Sequence, residues 1–431
     1  MGFQGVRVTL VDRVGIAPAA SGKAGGFLAK DWVVPALVPL AAASFSLHES
    51  LAMTLLGVDA VDYRRLGATN VTLRRPTKAL RRSRGRRVPS EHPAWIDEPA
   101  GQWTPGAAWR STAAMRSGSP TTCAQVHPAK LCNALMAAAG GVKLLVAAAV
   151  GLVMEEVDAP NGEGGGAAAA VTDPGAPSSS RSSPLPSRPP RTRRVRALRL
   201  EGGTELPVGT LVLALGPWSD RAAAWLPDAH LPAINGQQAH SVVLQDYGLG
   251  PRLDPEIYPR PHGEVYVYGA AEAAPKTLPD DPAEIVPSAA ACDRLTAFAR
   301  SVSSRLSAAA APESIRQACC LPISPDGLPL IGRVPGTGGS VVMGAGHGVW
   351  GVLLGPATGL ALSQLLLTGR SQVVDLSPFC PGRFANGGME EGEAEAERAA
   401  KKVGKEDKMG EEGGEGEGKG RAPLPEKVAA R

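Results

Sequence analysis

The chain has 431 residues, 43% hydrophobic and 20% charged, which is enough for two globular domains with separate cores. Its net charge of +4 is small for this length, and the basic residues form two clusters, so we expect no nucleic-acid-binding face. Six cysteines without a Cys-x-x-Cys pair predict neither a zinc site nor a disulfide framework, and no apolar run approaches the ~18 residues that span a bilayer.

Residues 6–12 predict a parallel strand that is buried on both faces and ends on an acidic residue, Asp12. In dinucleotide-binding folds that end position holds the ribose hydroxyls of adenosine, and Asp12 is a candidate for this role. The alternative is a helix cap or a solvated turn residue. A loop of small residues over 19–27 and a helix over about 36–56 follow.

The next segments predict strands and one helix that begins at a proline. Residues 63–75 are strand-like, whereas 74–87 carry eight basic residues with no apolar period, which favours a solvated loop. Pro128 suits the first turn of a helix, and 141–147 predict another strand. His127, just before that helix, is more typical of a structural cap than of a proton-transfer group.

Low complexity interrupts the second half of the chain. Residues 158–192 are rich in Gly, Ser, Pro and Arg and predict a disordered insertion within a hairpin. Strand patterns return over 196–200 and 206–215 and, alternating as in antiparallel sheets, over 240–244 and 264–269. A long amphipathic helix is predicted over 289–308.

The most informative pattern lies near the C-terminal end. Ser-Pro-Asp-Gly-Leu-Pro-Leu-Ile-Gly over 324–332 precedes a short apolar strand at 340–343, and Gly-Ala-Gly-His-Gly-Val-Trp-Gly over 344–351 opens a helix. Glycines 344, 346 and 348 are expected to let the backbone approach a planar ligand where any Cβ would collide. The N–H groups at the start of the helix would face the same ligand.

These motifs together resemble the FAD-dependent amine and amino-acid oxidases of the D-amino-acid, glycine and sarcosine oxidase group. The resemblance implies an α/β fold, with a Rossmann-like FAD-binding domain, incomplete at its N-terminus, and an antiparallel-sheet substrate domain. It implies FAD as cofactor, a small amine or amino acid and molecular oxygen as partners, and hydride transfer from the CH–NH group to flavin N5. We expect a cytoplasmic enzyme, or an organellar one if a targeting peptide precedes the sequence.

The resemblance also suggests site residues. His347 and Gly348 are the catalytic candidates, acting chiefly through backbone contacts and placement. Cys319 lies seven residues before Asp326, the spacing at which sarcosine-oxidase-like relatives attach flavin covalently; the alternative is a buried small hydrophobe. The cofactor-binding candidates are Asp12, Ala20, Ser21, Gly22, Lys23, Gly25, Gly26, Val150, Gly216, Trp218, Cys319, Gly346, His347, Gly348, Val349, Trp350 and Gly351.

Two further questions stay open at this point. Arg260, Arg316 and Arg333 are candidates for binding a substrate carboxylate, and the sequence does not choose among them. The strand and Gly-x-Gly-x-x-Gly turn that open a complete member of this group have no counterpart before residues 6–12, so we expect a gap in the middle of the parallel sheet. An incomplete gene model and a scaffold that has lost its pyrophosphate loop are the two explanations.

The expected organisation alternates between the two domains. FAD-binding segments are 1–62, 121–157, 193–232 and 313–386; substrate-domain segments are 63–120 and 233–312; 158–192 is the disordered insertion and 387–431 a disordered tail.

Overall fold

The computed structural model describes residues 5–74, 110–158, 191–243, 256–306 and 315–384. Residues 159–190 of the insertion predicted over 158–192 and the predicted tail lie outside these residues, as does the basic run after Arg74. The ends of the predicted insertion are wrong, because Asp158 and residues 191–192 belong to strands.

The predicted elements are present with small shifts at their ends. Residues 289–308 form a helix only as far as Val302, followed by a 3-10 turn. The α-helices of the described part are α1 (Ala20–Lys23), α2 (Val38–Leu51, continued by a π-helical turn over Ala52–Leu56), α3 (Pro128–Ala138), α4 (Asp220–Trp225), α5 (Ala289–Val302) and α6 (Gly351–Thr368). The strands are β1 (Val8–Asp12), β2 (Phe27–Ala29), β3 (Arg64–Arg65), β4 (Ala68–Arg74), β5 (Arg110–Gly118), β6 (Cys123–Gln125), β7 (Val142–Val146), β8 (Ala149–Asp158), β9 (Arg191–Leu200), β10 (Glu205–Pro207), β11 (Leu211–Leu213), β12 (Asn235–Val243), β13 (Glu256–Pro259), β14 (Val265–Ala273), β15 (Ile315–Ile323), β16 (Leu330–Arg333) and β17 (Val341–Ala345).

Parallel pairing is found where the sequence predicts it. β1 pairs with β7 in parallel, with Val8 opposite Val142 and Asp12 opposite Val146. β11 pairs with β17 in parallel, and β16 adds to the outer edge of β17 as an antiparallel hairpin partner. These pairs form the two parallel pieces of a Rossmann-like layer, as the expected fold class requires.

The parallel layer is split between β1 and β11. Each of these two strands has one ladder partner among the described residues, so each leaves one edge open. Apolar side chains stay accessible on both strands: Leu10 is 42% exposed and Val212 is also 42% exposed. Beside β1, a cavity of about 430 Å³ is lined mainly by apolar side chains of β1, β7, α3 and α6. The gap expected from the sequence is therefore a feature of this sheet.

The carboxyl ends of β1 and β11 nevertheless reach one common loop. Arg13, just after β1, lies 3.3 Å from a carboxylate oxygen of Asp280, and Arg221, in the helix after β11, lies 2.6 Å from the other oxygen. All three side chains are substantially solvent-exposed, so these ion pairs contribute little to stability. Their value here is geometric, because they show that the two open strands end on the same side of the molecule.

Antiparallel sheets complete the architecture. The largest has the order β13-β14-β12-β15, and α5 packs on it through Cys292, Leu295 and Ala299. Smaller sheets have the orders β2-β6-β3 and β10-β9-β8, and the long β8–β9 hairpin flanks the predicted insertion. This mixed arrangement agrees with the fold class expected from the sequence.

Two long apolar helices pack against each other in the main core. The segments Pro35–Leu56 and Gly348–Thr368 are long and apolar enough to cross a membrane, which corrects the expectation that no segment reaches that length. Core helices of globular proteins pass the same test. Leu40 and Phe45 of α2 and Leu353 and Leu354 of α6 belong to one buried cluster, and each is at most 2% exposed.

The split sheet predicts a pattern of hydrogen exchange. Alternate amides of β1 and β11 that face the open edges should exchange much faster than those of β17, which is paired on both sides. Exchange measured by mass spectrometry or NMR checks this. Equal protection of all three strands would contradict the open edges and would mean that another strand pairs with them.

Candidate functional site

Most of the candidate residues predicted from the sequence gather around β15. This strand pairs with β12 in its sheet, and it also contacts α1 and the 3-10 turns Gly216–Trp218 and Gly348–Trp350. Ile323, the last residue of β15, forms an isolated antiparallel bridge with His347. We call this region, made of residues 20–26, 216–218, 315–323 and 346–351, the β15 junction.

The loop after α1 is fixed to the antiparallel sheet through its carbonyl groups. The Lys23 carbonyl accepts hydrogen bonds from the Tyr266 hydroxyl and the Gln317 amide, both at 2.9 Å. The next two carbonyls, of Ala24 and Gly25, both accept from the Arg260 guanidinium. Three consecutive carbonyls are thus satisfied by side chains of one sheet, which determines where this small-residue loop lies.

Aromatic rings explain why the loop needs a glycine at position 25. A Cβ there would lie 2.6 Å from the Tyr258 ring and 2.8 Å from the Tyr266 ring. These tyrosines are cross-strand partners on β13 and β14, and their ring centroids are 6.0 Å apart. Phe27 continues the stack, 5.6 Å from Tyr258. The loop therefore lies on a wall of stacked rings.

Gly26 is required for a different reason. Its φ of +84° is rarely adopted by other residues, and a Cβ would lie 1.9 Å from the Val126 carbonyl oxygen. Its own carbonyl accepts from the Val126 N–H at 2.9 Å. The small-residue loop is therefore in direct backbone contact with residues 125–128, which we call the Gln-Val-His-Pro segment.

The Gly-Ala-Gly-His-Gly turn uses its glycines in three ways, and the expectation for one of them is wrong. Gly344 packs against α6, because a Cβ would lie 3.0 Å from Leu362, so this glycine serves strand–helix packing rather than ligand approach. Gly346 needs its φ of +75°. Gly348, with φ of +55°, faces open space within 4 Å, as a position beside a ligand would.

His347 is partly buried and neutral at neutral pH. Burial lowers its pKa to about 4, and its Nε2 lies 3.1 Å from the Thr358 hydroxyl of α6. An imidazole with this pKa carries no positive charge at neutral pH. The hydrogen bond connects the turn to α6, and a role of His347 through placement stays a prediction.

The helix that follows begins without a side-chain cap, and the Trp350 N–H just before it donates to the His347 carbonyl at 3.1 Å. Neither the 3-10 turn Gly348–Trp350 nor α6 has a side-chain cap. The first N–H groups of a helix have no partner within it and carry a partial positive charge. With Val349, Trp350 and Gly351 at this position, the junction presents a donor-rich end of an 18-residue helix.

Asp12 ends β1, beside the split in the parallel layer, whereas Val150 lies on β8 of the separate sheet β10-β9-β8. The Asp12 carboxylate accepts from the N–H groups of Val14 and Gly15 at 2.8 and 2.9 Å, which is the turn role left open as the alternative. Val150, on β8, is 44% exposed. A ribose contact by Asp12 stays a prediction.

A loop over residues 279–282 holds the remaining cofactor-side candidates together. The Trp218 indole donates to the Pro279 carbonyl at 2.8 Å, and Lys23 Nζ lies 3.4 Å from the Pro282 carbonyl and 3.0 Å from that of Ala318. Gly216, at the start of the Trp218 turn, has φ of +55°. The Trp218 indole is thus used in a contact within the protein, and its role as a cofactor-binding residue stays a prediction.

Cys319 faces α1 across the junction. It is 6% exposed and packs with Ala20, Tyr268 and Leu321. Burial raises the pKa of its thiol to about 11, so the thiolate is scarce at neutral pH. Its position is suitable for contact with a ligand held by α1, but its chemistry in this state is that of a buried small hydrophobe.

Of the three candidate arginines, Arg260 contacts the junction through the carbonyls of Ala24 and Gly25, and Arg316 lies within it on β15. The Arg260 side chain is 8% exposed, and its guanidinium is 4.8 Å from the Tyr266 ring centroid. Arg316 lies 2.7 Å from an oxygen of Asp293 on α5. Arg333 donates to the carbonyls of Gly339 and Leu365 in the parallel half. His127 caps α3 by accepting from the Lys130 N–H, which confirms the cap interpretation.

Sequence reasoning missed the polar residues that support the junction. Tyr258 and Tyr266 were within predicted or plausible strands, but nothing in their spacing indicated that they would pair across strands. Ser44 and His48 lie four residues apart on α2 and are 0% and 1% exposed. Two polar residues at helical spacing in an apolar helix were a usable signal, because buried polar groups need partners.

Comparison with known proteins gives consistent results. A family profile described as FAD dependent oxidoreductase (DAO) matches residues 3–365. The protein C1F5.03c of Schizosaccharomyces pombe, named only provisionally as an oxidoreductase, is 29% identical over 380 residues, which cover 84% of this chain and 86% of that protein. Glycine oxidase from Geobacillus kaustophilus has a TM-score of 0.60 at 19% identity and covers 89% of this chain and 93% of its own. L-proline dehydrogenase from P. horikoshii has a TM-score of 0.59 at 14% identity, with coverages of 90% and 93%. At these identities the structural likeness shows the fold alone.

Replacing Gly26 tests the contact between the loop and the Gln-Val-His-Pro segment. Gly26→Ala should destabilise the protein by at least about 2 kcal/mol more than Gly203→Ala, because a core overlap is added to the backbone strain. Gly203 is the matched control, since its φ is +85° and a Cβ there would meet nothing within 4 Å. Urea unfolding of both variants measures the difference. Equal losses would contradict the close backbone contact.

Proposed function

This chain belongs to the DAO family of FAD-dependent oxidoreductases, and from that premise we propose that it oxidises the CH–NH group of a small amine or amino acid. One observation carries the proposal: the Gly-His-Gly turn and the uncapped start of α6 lie against β15, at the border between the parallel layer and the antiparallel sheet. A ligand held at this border would contact both halves of the fold.

The reaction follows from the chemistry of the cofactor and the placement supplied by the protein. FAD, when bound, accepts at N5 the hydride removed from the carbon beside the substrate nitrogen. The substrate becomes an imine, which water hydrolyses, and we propose molecular oxygen as the final acceptor, which is reduced to peroxide. No side-chain base is needed if the amine binds unprotonated, which is compatible with a neutral His347.

The residues present fit the ring end of FAD. The positive end of the α6 dipole, which no side chain caps, suits the N1–C2=O edge, where negative charge develops on reduction. Gly348 leaves space for a planar group, and α1 and the turn that contains Gly348 both contact β15. The pyrophosphate end of FAD fits less well. None of the described helices begins with a glycine-rich turn at the gap in the sheet between β1 and β11. We derive no step from that end.

A second function is supported by the split sheet. The open edges of β1 and β11 favour a flavoprotein-like scaffold that binds a partner without catalysing oxidation. The two functions differ in one simple property, since only the first requires bound FAD.

Absorbance spectroscopy separates these functions. We expect the purified protein, after incubation with FAD and gel filtration, to retain flavin absorbance, which an amino acid or amine from a substrate panel should bleach under anaerobic conditions. Readmitted oxygen should restore the absorbance. A folded protein that retains no flavin would support the scaffold instead, and retained flavin that no amine or amino acid bleaches would refute the proposed substrate class.

The state of Cys319 predicts how the flavin is held. Because the thiol is buried and its pKa is raised to about 11, we expect a non-covalent cofactor. Acid precipitation of the flavin-loaded protein should leave the flavin colour in the supernatant, and Cys319→Ala should behave in the same way. Colour that stays with the wild-type pellet and is lost in the Cys319→Ala variant would show a covalent link.

A further inference from the structure

The helix α6 contains a proline that removes one of its own hydrogen bonds. Pro356 is the sixth residue of the helix, and a proline has no N–H to donate to the carbonyl four residues earlier, that of Val352. The break falls between the first turn, which begins at the β15 junction without a side-chain cap, and the rest of the helix. The direction of the first turn therefore depends on what replaces the lost bond.

A histidine from the neighbouring helix replaces it. His48 Nε2 lies 2.9 Å from the Val352 carbonyl oxygen, and the same ring also interacts with the carbonyl of Leu353. Because a carbonyl oxygen can only accept, Nε2 must carry the hydrogen, and Nδ1 is then unprotonated. Nδ1 is buried without a partner, and the side chain is 1% exposed. Of the two ring nitrogens, only Nε2 has a hydrogen-bond partner, and that partner is the carbonyl left without a donor by Pro356.

A second side chain of the same helix acts on the other side of the proline. The Ala357 N–H donates to the Ser44 hydroxyl at 3.0 Å, and Ser44 is fully buried. Ser44 and His48 are four residues apart on α2 and so lie on the same face. One donor and one acceptor from α2 thus flank Pro356, while Thr358 meets His347 from the junction.

We propose that His48, assisted by Ser44, is a positioning residue that holds the first turn of α6 across the Pro356 break and so directs its N–H groups at the β15 junction. The link to cofactor chemistry rests on the proposed function. The positioning itself does not, because it can be measured in the protein without flavin.

Hydrogen exchange of the flavin-free protein tests the positioning. His48→Leu leaves the Val352 carbonyl without a donor, so peptides covering 348–357 should exchange about tenfold faster, the effect expected for one buried unsatisfied group. His48→Gln, whose amide nitrogen can reach the position of Nε2, should restore most of the protection. Peptides from β9 and β10 report on global stability and should change little. An unchanged 348–357 segment, or the same acceleration throughout the chain, would overturn the proposal.

A double-mutant cycle with Pro356→Ala isolates the interaction. The alanine introduced by this substitution has an N–H that can donate to the Val352 carbonyl, so His48→Leu should have a clearly smaller effect in the Pro356→Ala background than in the wild type. If the effect of His48→Leu is the same in both backgrounds, His48 does not compensate for the proline and the proposal is wrong. This outcome is independent of whether FAD binds.

In flavin-loaded protein, the reduction potential provides the functional readout. Displacing the first-turn N–H groups should make the flavin potential of His48→Leu more negative than that of the wild type, and His48→Gln should return it toward the wild-type value. Faster local exchange without a change in reduction potential would still show that His48 stabilises the first turn of α6. It would refute the proposal that His48 directs the N–H groups of this turn at the flavin. Failure to bind FAD would count against the proposed function and not against the helix contacts.

Discussion

The contact between the loop after α1 and the antiparallel sheet is the constraint on which the site depends. Carbonyls of three consecutive residues, 23–25, accept from Tyr266, Gln317 and Arg260. Buried carbonyls need such partners, and one sheet provides all of them. The loop cannot move without breaking several hydrogen bonds and unstacking Gly25 from two rings. The two halves of the fold are therefore joined at the place where the candidate residues gather.

Much of the fold could be predicted from the sequence because it depends on local patterns. Apolar runs placed β1, β7, β11 and β17, and the structure pairs them in parallel. The Gly-His-Gly turn and the helix after it were also predictable, since glycine at positive φ and a long apolar stretch are short-range signals. Gly344 shows the limit of this reasoning, because its neighbour Leu362 on α6 becomes relevant only after the helix folds back on the strand.

The supporting residues could not be predicted because their partners are distant in sequence. Arg260 binds a loop more than two hundred residues earlier in the chain, and nothing near it distinguishes it from Arg316 or Arg333. His48 acquires its role from Pro356, about three hundred residues later. The proline itself was visible, and the need for a replacement donor follows from its covalent structure. The identity of that donor depends on helix packing alone.

The charge at the start of α6 comes from the backbone and not from nearby side chains. His48 and His347 lie on two sides of this helix, and burial lowers the pKa of each to about 4. Both rings are therefore neutral at neutral pH, and each is used for hydrogen bonding rather than for charge. A protonated imidazole beside the helix would attract an anionic ligand whether that ligand is oxidised or reduced. The charge of such an imidazole would also change with pH. Oriented N–H groups keep a fixed partial charge, so a site built on them favours a group that becomes negative only when it is reduced. The neutral histidines and the helix interrupted by Pro356 are two parts of the same arrangement: the rings add no positive charge beside α6, and the hydrogen bond from His48 sets the direction of its first N–H groups.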